Sequence, residues 1–116
     1  MIDRRKEPRI PAILAVVVWG HDLDSQPFVQ IALARNISGG GALLSNIKQP
    51  VRCGDVLGIR YRNKTARFRV VWFRESGLAG HFQVAVHKLR QDACPWEDAL
   101  RLQATAGLAV SEAATV

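Results

Sequence analysis

Apolar and polar positions alternate with a period of two along much of this chain, the pattern of strands that bury one face. The first apolar run, Ala12 to Trp19, is rich in β-branched residues and reads as a strand. It is far shorter than the roughly 20 apolar residues a bilayer-spanning helix needs. Gly20 to Pro27 is polar and turn-rich. Phe28–Arg35 follows as a second strand, with Val29, Ile31 and Leu33 on one face. A glycine-rich segment leads into the short apolar stretch Ala42–Leu44, and Pro50 to Asp55 forms another turn.

The clearest alternation lies in the next two segments. Leu57, Ile59 and Tyr61 alternate with Gly58, Arg60 and Arg62; then Ala66, Phe68, Val70 and Trp72 share one face of Thr65–Phe73. A two-residue turn at Asn63-Lys64 would pair Tyr61 with Ala66, Ile59 with Phe68 and Leu57 with Val70. All apolar partners then fall on the core face, Trp72 and Phe68 included, and Arg60, Arg62, Arg67 and Arg69 fall on the other. A last strand, His81–His87, turns Phe82, Val84 and Val86 inward.

The tail changes character. Pro95 suits the first position of a helix, and Glu97 and Asp98 complement the dipole of its first turn. Trp96, Leu100 and Ala104 are spaced to share a face, predicting a helix over Pro95–Ala106 that packs on the sheet and plugs a barrel end. Short strands separated by turn signals predict an all-β fold, a small six-stranded antiparallel β-barrel with a short C-terminal helix. The expected organisation is a mobile basic arm over residues 1–11, a barrel over 12–90, and a helix with a frayed tail over 91–116.

Composition narrows the function. The 116 residues suit one domain, and a formal charge of +6 favours an anionic partner. Asp3 and Glu7 interrupt the basic N-terminus and no small-residue cleavage site follows, so a signal peptide and membrane insertion are not expected and the cytoplasm is the default location. Cys53 and Cys94 stand apart with no CxxC and read as reduced thiols. No catalytic or metal-binding residues are predicted. Ser38 is not in a nucleophile elbow. His81 and His87 are roughly 20 Å apart along one strand, too far to share a metal. Gly39-Gly40-Gly41 lacks the lysine and spacing of a phosphate-binding loop.

Two segments remain. Arg4-Arg5-Lys6-Glu7-Pro8-Arg9 concentrates guanidinium groups, and Pro8 and Pro11 forbid a regular helix there. Arginine binds phosphate, or the O6/N7 edge of guanine, through two parallel hydrogen bonds. Asn36-Ile37-Ser38-Gly39-Gly40-Gly41 reads first as a tight turn. It also offers an amide oxygen to guanine N–H groups, a hydroxyl to a phosphate oxygen, and bare backbone against which a planar ligand can lie.

In this order the segments resemble the PilZ family, which binds the bacterial second messenger cyclic di-GMP. The family's R-x-x-x-R matches Arg5 and Arg9, with Arg4 as the frequent extra arginine. Its [D/N]-x-S-x-x-G matches Asn36, Ser38 and Gly41, and Gly40 fits the common double glycine. Gly54-Asp55, Val70-Val71-Trp72 and Gly80-His81-Phe82 also fall where the family often has its marks. Asn36 departs mildly, standing where many members carry Asp. The resemblance implies a barrel binding cyclic di-GMP on its outside through Arg4, Arg5, Arg9, Asn36, Ser38, Gly40 and Gly41, signalling to an unidentified effector protein, with no cofactor and no enzymatic activity. The alternative is a nucleic-acid-binding barrel using Arg60, Arg62, Arg67 and Arg69; nucleic acid is the less favoured partner, since exposed aromatics to stack bases are scarce. An interaction module that has lost its ligand is the third class.

Overall fold

The computed structural model describes residues 10–77 and 80–102. Six strands form: β1 (Ile10–His21), β2 (Pro27–Ser38), β3 (Gly41–Ile47), β4 (Val56–Tyr61), β5 (Lys64–Glu75) and β6 (Phe82–Lys88). They close into a barrel in the order β1-β2-β3-β6-β5-β4, every neighbouring pair antiparallel. Closure leaves no unpaired sheet edge. A helical turn, α1, covers 97–102 at the end of the described residues, so Ala104 lies outside them.

The interior is filled by alternate residues of each strand, among them Val16 and Val18, Leu44, Leu57 and Ile59, Phe68 and Val70, and Val84 and Val86. Trp96 completes it. The indole is fully buried, stacks on Phe68 with ring centroids 5.2 Å apart, and donates from Nε1 to the carbonyl of Ser38 at 2.7 Å. The tail therefore plugs the barrel end at which β2 turns into β3. Leu100 and Ala99 pack behind the indole.

Three features differ from the sequence pattern. The β4–β5 hairpin turns at Arg62-Asn63, with Tyr61 opposite Lys64, Ile59 opposite Ala66 and Leu57 opposite Phe68. Arg62 takes a positive φ of 58° at this turn. The backbone of Val70 is instead taken by the preceding turn, exchanging hydrogen bonds of 2.8 Å with Gly54 N–H and the Asp55 carbonyl. The shift is two residues, so every side chain keeps its face.

Trp72 is the second difference. It is not core but 41 % exposed, because Val71 is an extra residue in β5: Val70 pairs with Val86, yet Trp72 pairs with Ala85. The bulge inverts the alternation beyond it. The third is β2, whose inward residues are Phe28, Ala32 and Ala34; Val29 and Ile31 are about 70 % exposed. Strand β1 also starts two residues earlier than the pattern placed it, at Ile10, and β6 starts at Phe82.

Replacing Trp96 by Phe keeps much of the plug but leaves the Ser38 carbonyl without its indole donor. The expected cost is about 1–3 kcal/mol, read as a lowered denaturant midpoint with an unchanged m-value.

Candidate functional site

The segment Asn36–Gly41 lies at the plugged end. Asn36 is exposed, with φ of 47°, and sits where the β2–β3 register slips between Arg35 and Ser38. An asparagine tolerates this left-handed backbone better than most residues. Ile37 is fully buried and anchors the segment from below. The hydroxyl of Ser38, 9 % exposed as a residue, accepts from Gly40 N–H at 3.3 Å and donates to the Gly41 carbonyl at 3.5 Å. In this form it is occupied within the turn and not turned outward. The Ser38 carbonyl takes the Trp96 indole, with the Cys94 thiol 3.9 Å away. Gly40 contributes its carbonyl to Lys88 N–H at 2.8 Å.

Gly41 has a packing reason of its own. A Cβ there would stand 2.4 Å from the backbone oxygen of Val86 on β6. The neighbouring strand, not space for a ligand, therefore fixes glycine at this position. Of the turn's predicted groups, the Asn36 side chain and the exposed edge of Gly40 are what solvent reaches.

Arg4, Arg5 and Arg9 lie outside the described residues, as do Leu78, Ala79 and the tail beyond Leu102. The start of β1 is nevertheless informative. Ile10 pairs with Ile37, the residue between Asn36 and Ser38. Consecutive Cα atoms are about 3.8 Å apart, so Arg9 is covalently held one step from this pair, and Arg5 has at most roughly 17 Å of chain between it and Ile10.

The outer surface beside the turn carries a residue the sequence pattern assigned to the core. Trp72, Ala85, Leu43 and Arg35 form a row across β5, β6, β3 and β2. At about 4.8 Å between strands the row spans roughly 14 Å. The Arg74 guanidinium lies 5.6 Å from the centre of the Trp72 ring and bonds Gln83 Oε1 at 2.8 Å. The guanidinium over the ring holds the exposed indole in place by a cation–π contact. The unbroken apolar run Val70-Val71-Trp72-Phe73 was the available signal: such a run leaves the alternation undefined and permits a bulge.

The predicted arginine stripe is largely spent on structure. Arg67 clamps Asp92 with two side-chain bonds of 3.0 and 2.9 Å and a backbone N–H bond of 2.7 Å. The Arg67 side-chain bonds, and then its backbone N–H, hold the Asp92 carboxyl down at about 2. Arg69 donates to the Gly54 carbonyl at 3.1 Å. Arg62 has moved into the turn, 5.4 Å over the Tyr61 ring. The Arg60 and Arg62 side chains are both exposed and make no hydrogen bond or ion pair among the described residues. A cleft of about 230 Å³ opens at this end between Tyr61, Lys64, Pro95, Asp98 and Leu102, and no residue of the Asn36–Gly41 turn lines it. Among the described residues no cluster of side chains is suited to a metal ion, and no helix is long and apolar enough to cross a membrane.

No family model and no curated protein sequence matches the chain. Among solved structures the fold is similar to that of the Bacillus subtilis inhibitor of motility (MotI/DgrA), with a TM-score of 0.65 and 19 % sequence identity. The match covers 92 % of this chain and 52 % of the other, so the chain spans about half the length of that protein. At this identity the likeness is one of fold.

Two outcomes are expected. Gly41→Ala should lower stability by about 1–3 kcal/mol through overpacking, measured by chemical denaturation, whether or not ligand is present. The Asp92 carboxyl lies below its unfolded value of about 3.9, so the clamp contributes fully above pH 4 and is lost as pH falls towards 2. Asp92→Asn should therefore melt at a lower temperature than the parent at pH 6, and the gap should close by pH 2.

Proposed function

We propose that this chain is a receptor for cyclic di-GMP that acts by binding, not catalysis, and signals to a partner protein through the surface the ligand changes. One observation carries the reading. The pairing of Ile10 with Ile37 sets the residue that follows the basic segment in sequence against the Asn36–Gly41 turn, which supports reading the two halves of the motif as one site.

The chemistry then follows from the residues. Arg5 and Arg9, with Arg4, neutralise the ligand's two phosphate charges and grip guanine edges bidentately. Asn36, exposed at the bulge, accepts from guanine N–H groups through its amide oxygen. Gly40 keeps the backbone low beside the ligand, and Gly41 serves the site by letting β3 pack closely on β6. Ser38 reaches a phosphate oxygen only by giving up its long 3.5 Å bond to the Gly41 carbonyl, a small cost. The row from Arg35 to Trp72 gives the bases a surface to lie on, with the indole as a stacking partner. Any chain segment that a ligand must order carries an entropy cost, which lowers affinity while making a response switch-like.

The nucleic-acid alternative loses its main support, since Arg67 and Arg69 are committed to Asp92 and Gly54.

Calorimetric titration of the whole chain with cyclic di-GMP, with GTP and linear di-GMP as controls, tests the reading. Arg5→Ala and Arg9→Ala should each weaken binding by about 1.5–3 kcal/mol, the range for hydrogen bonds to a charged group, with melting temperature unchanged. Affinity unaltered in both variants would sink the assignment.

A further inference from the structure

The outer face of β1 and β2 is apolar along its centre. Four cross-strand pairs run along it: Ile13 with Arg35, Ala15 with Leu33, Val17 with Ile31, and Trp19 with Val29. Ile13 is 61 % exposed, Val29 71 % and Ile31 70 %, with Val17, Trp19 and Leu33 half-buried between them. Trp19 lies flat against β4, where a Cβ on Gly58 would meet its ring at 2.1 Å. Together these side chains expose an apolar patch on the order of several hundred Å², the size at which a surface stops being incidental.

The ends of the face differ in charge. At one end Arg35 is exposed and makes no ion pair among the described residues. At the other is the β1–β2 turn, where the Asp22 carboxylate accepts from Asp24 N–H and Gln26 N–H at 2.9 and 3.0 Å. The exposed Asp24 carboxylate makes no ion pair among the described residues, and the one cation bonded to the turn there, Arg52, donates to the Leu23 carbonyl at 3.3 Å, leaving the turn net acidic. The face is thus basic, apolar and acidic in sequence along the strands. Its centre is the Val17–Ile31 row. Arg35 lies four residues from Ile31 in one direction, and Pro27, next to the turn, four in the other. At about 3.3 Å per residue both lie roughly 13 Å from the centre.

We infer that this face is the contact surface of a homodimer, two copies packing antiparallel about a two-fold axis across the Val17–Ile31 row. That rotation lays Ile31 and Val17 of the copies against each other. It sets Arg35 of each copy opposite the Asp24 turn of the other, the self-complementarity an isologous interface requires. With a net charge of +6 per chain, two copies repel wherever basic surfaces meet; here the centre is neutral and the ends attract. Arg60, beside Val17 on β4, stays on the flank, where the closed barrel curves away. Two such patches with their rims reach the lower end of stable interfaces, about 1,200 Å², and give a dimer of micromolar strength. The inference does not depend on the ligand.

Sedimentation velocity of the whole chain across about 1–300 μM reads the outcome directly, the upper bound being set to saturate a micromolar dimer. The parent should pass from monomer to dimer. Ile31→Glu should raise the dissociation constant about tenfold or more, with its circular dichroism and melting unchanged because the side chain is exposed. Arg35→Glu should weaken the dimer, and Arg35→Glu combined with Asp24→Lys should restore it. A parent that stays monomeric throughout overturns the inference, whether or not the face then binds anionic vesicles. An Ile31→Glu protein that dimerises as the parent does overturns it too. A double charge reversal no better than the single one overturns the antiparallel arrangement.

Discussion

The hydrogen bond from the buried Trp96 indole to the Ser38 carbonyl ties together everything at one end of this barrel. A six-stranded barrel closes its sides but leaves its ends open, and the interior here is too apolar to be left wet. Trp96 fills one end with the largest side chain available, resting on Phe68. An indole N–H cannot be buried without a partner. The carbonyl it finds belongs to Ser38, the last residue of β2, which pairs with Gly41 just past the register slip after Arg35. The plug and the bulged turn therefore meet at one residue. The left-handed backbone of Asn36 and its exposed side chain are consequences of the same slip.

Bulges also decide what the barrel shows to solvent. A strand in a closed barrel has an inner and an outer face, and one extra residue exchanges them. Val71 does this in β5 and brings Trp72 outside, where Arg74 braces it. In β1 the slip between Ile10 and Ile13 brings Ile10 opposite Ile37. The outer surface thus divides in two. Across β2, β3, β6 and β5 it carries polar and aromatic groups beside a glycine turn, and along β1 and β2 it is aliphatic. The two parts meet at Arg35.

What could be read from the sequence follows the same logic. The faces of the β4–β5 hairpin were legible although its turn was not, because the true register differs by two residues and parity survives. The helix face was legible from the Trp96 and Leu100 spacing, because a tryptophan in a short amphipathic tail has few places to go except inward. Strand β2 was not. Its larger side chains, Val29 and Ile31, point outward, and its inner positions include Ala32 and Ala34. A narrow barrel that already contains Phe68 and Trp96 has room only for small residues on the strand facing them. That compensation depends on residues more than 30 positions away, which local periodicity cannot register. Trp72 was misplaced for a simpler reason: in the unbroken apolar run Val70–Phe73, alternation carries no phase.

Charge was the other quantity the sequence displayed without its allocation. A formal +6 suggests a cationic surface ready for an anion. The fold first takes its share. Arg67 is neutralised by Asp92, Lys64 and Arg101 share Asp98, and Arg69 and Lys88 bind backbone carbonyls. An arginine already holding a carboxylate in bidentate geometry must break that pair to hold a phosphate, so it adds little to anion affinity. Other cations hold no carboxylate: Arg35 and Arg60, for example, stand exposed on the barrel wall and make no ion pair among the described residues. What a net charge can offer an anion therefore depends on where cations remain uncommitted, not on how many there are.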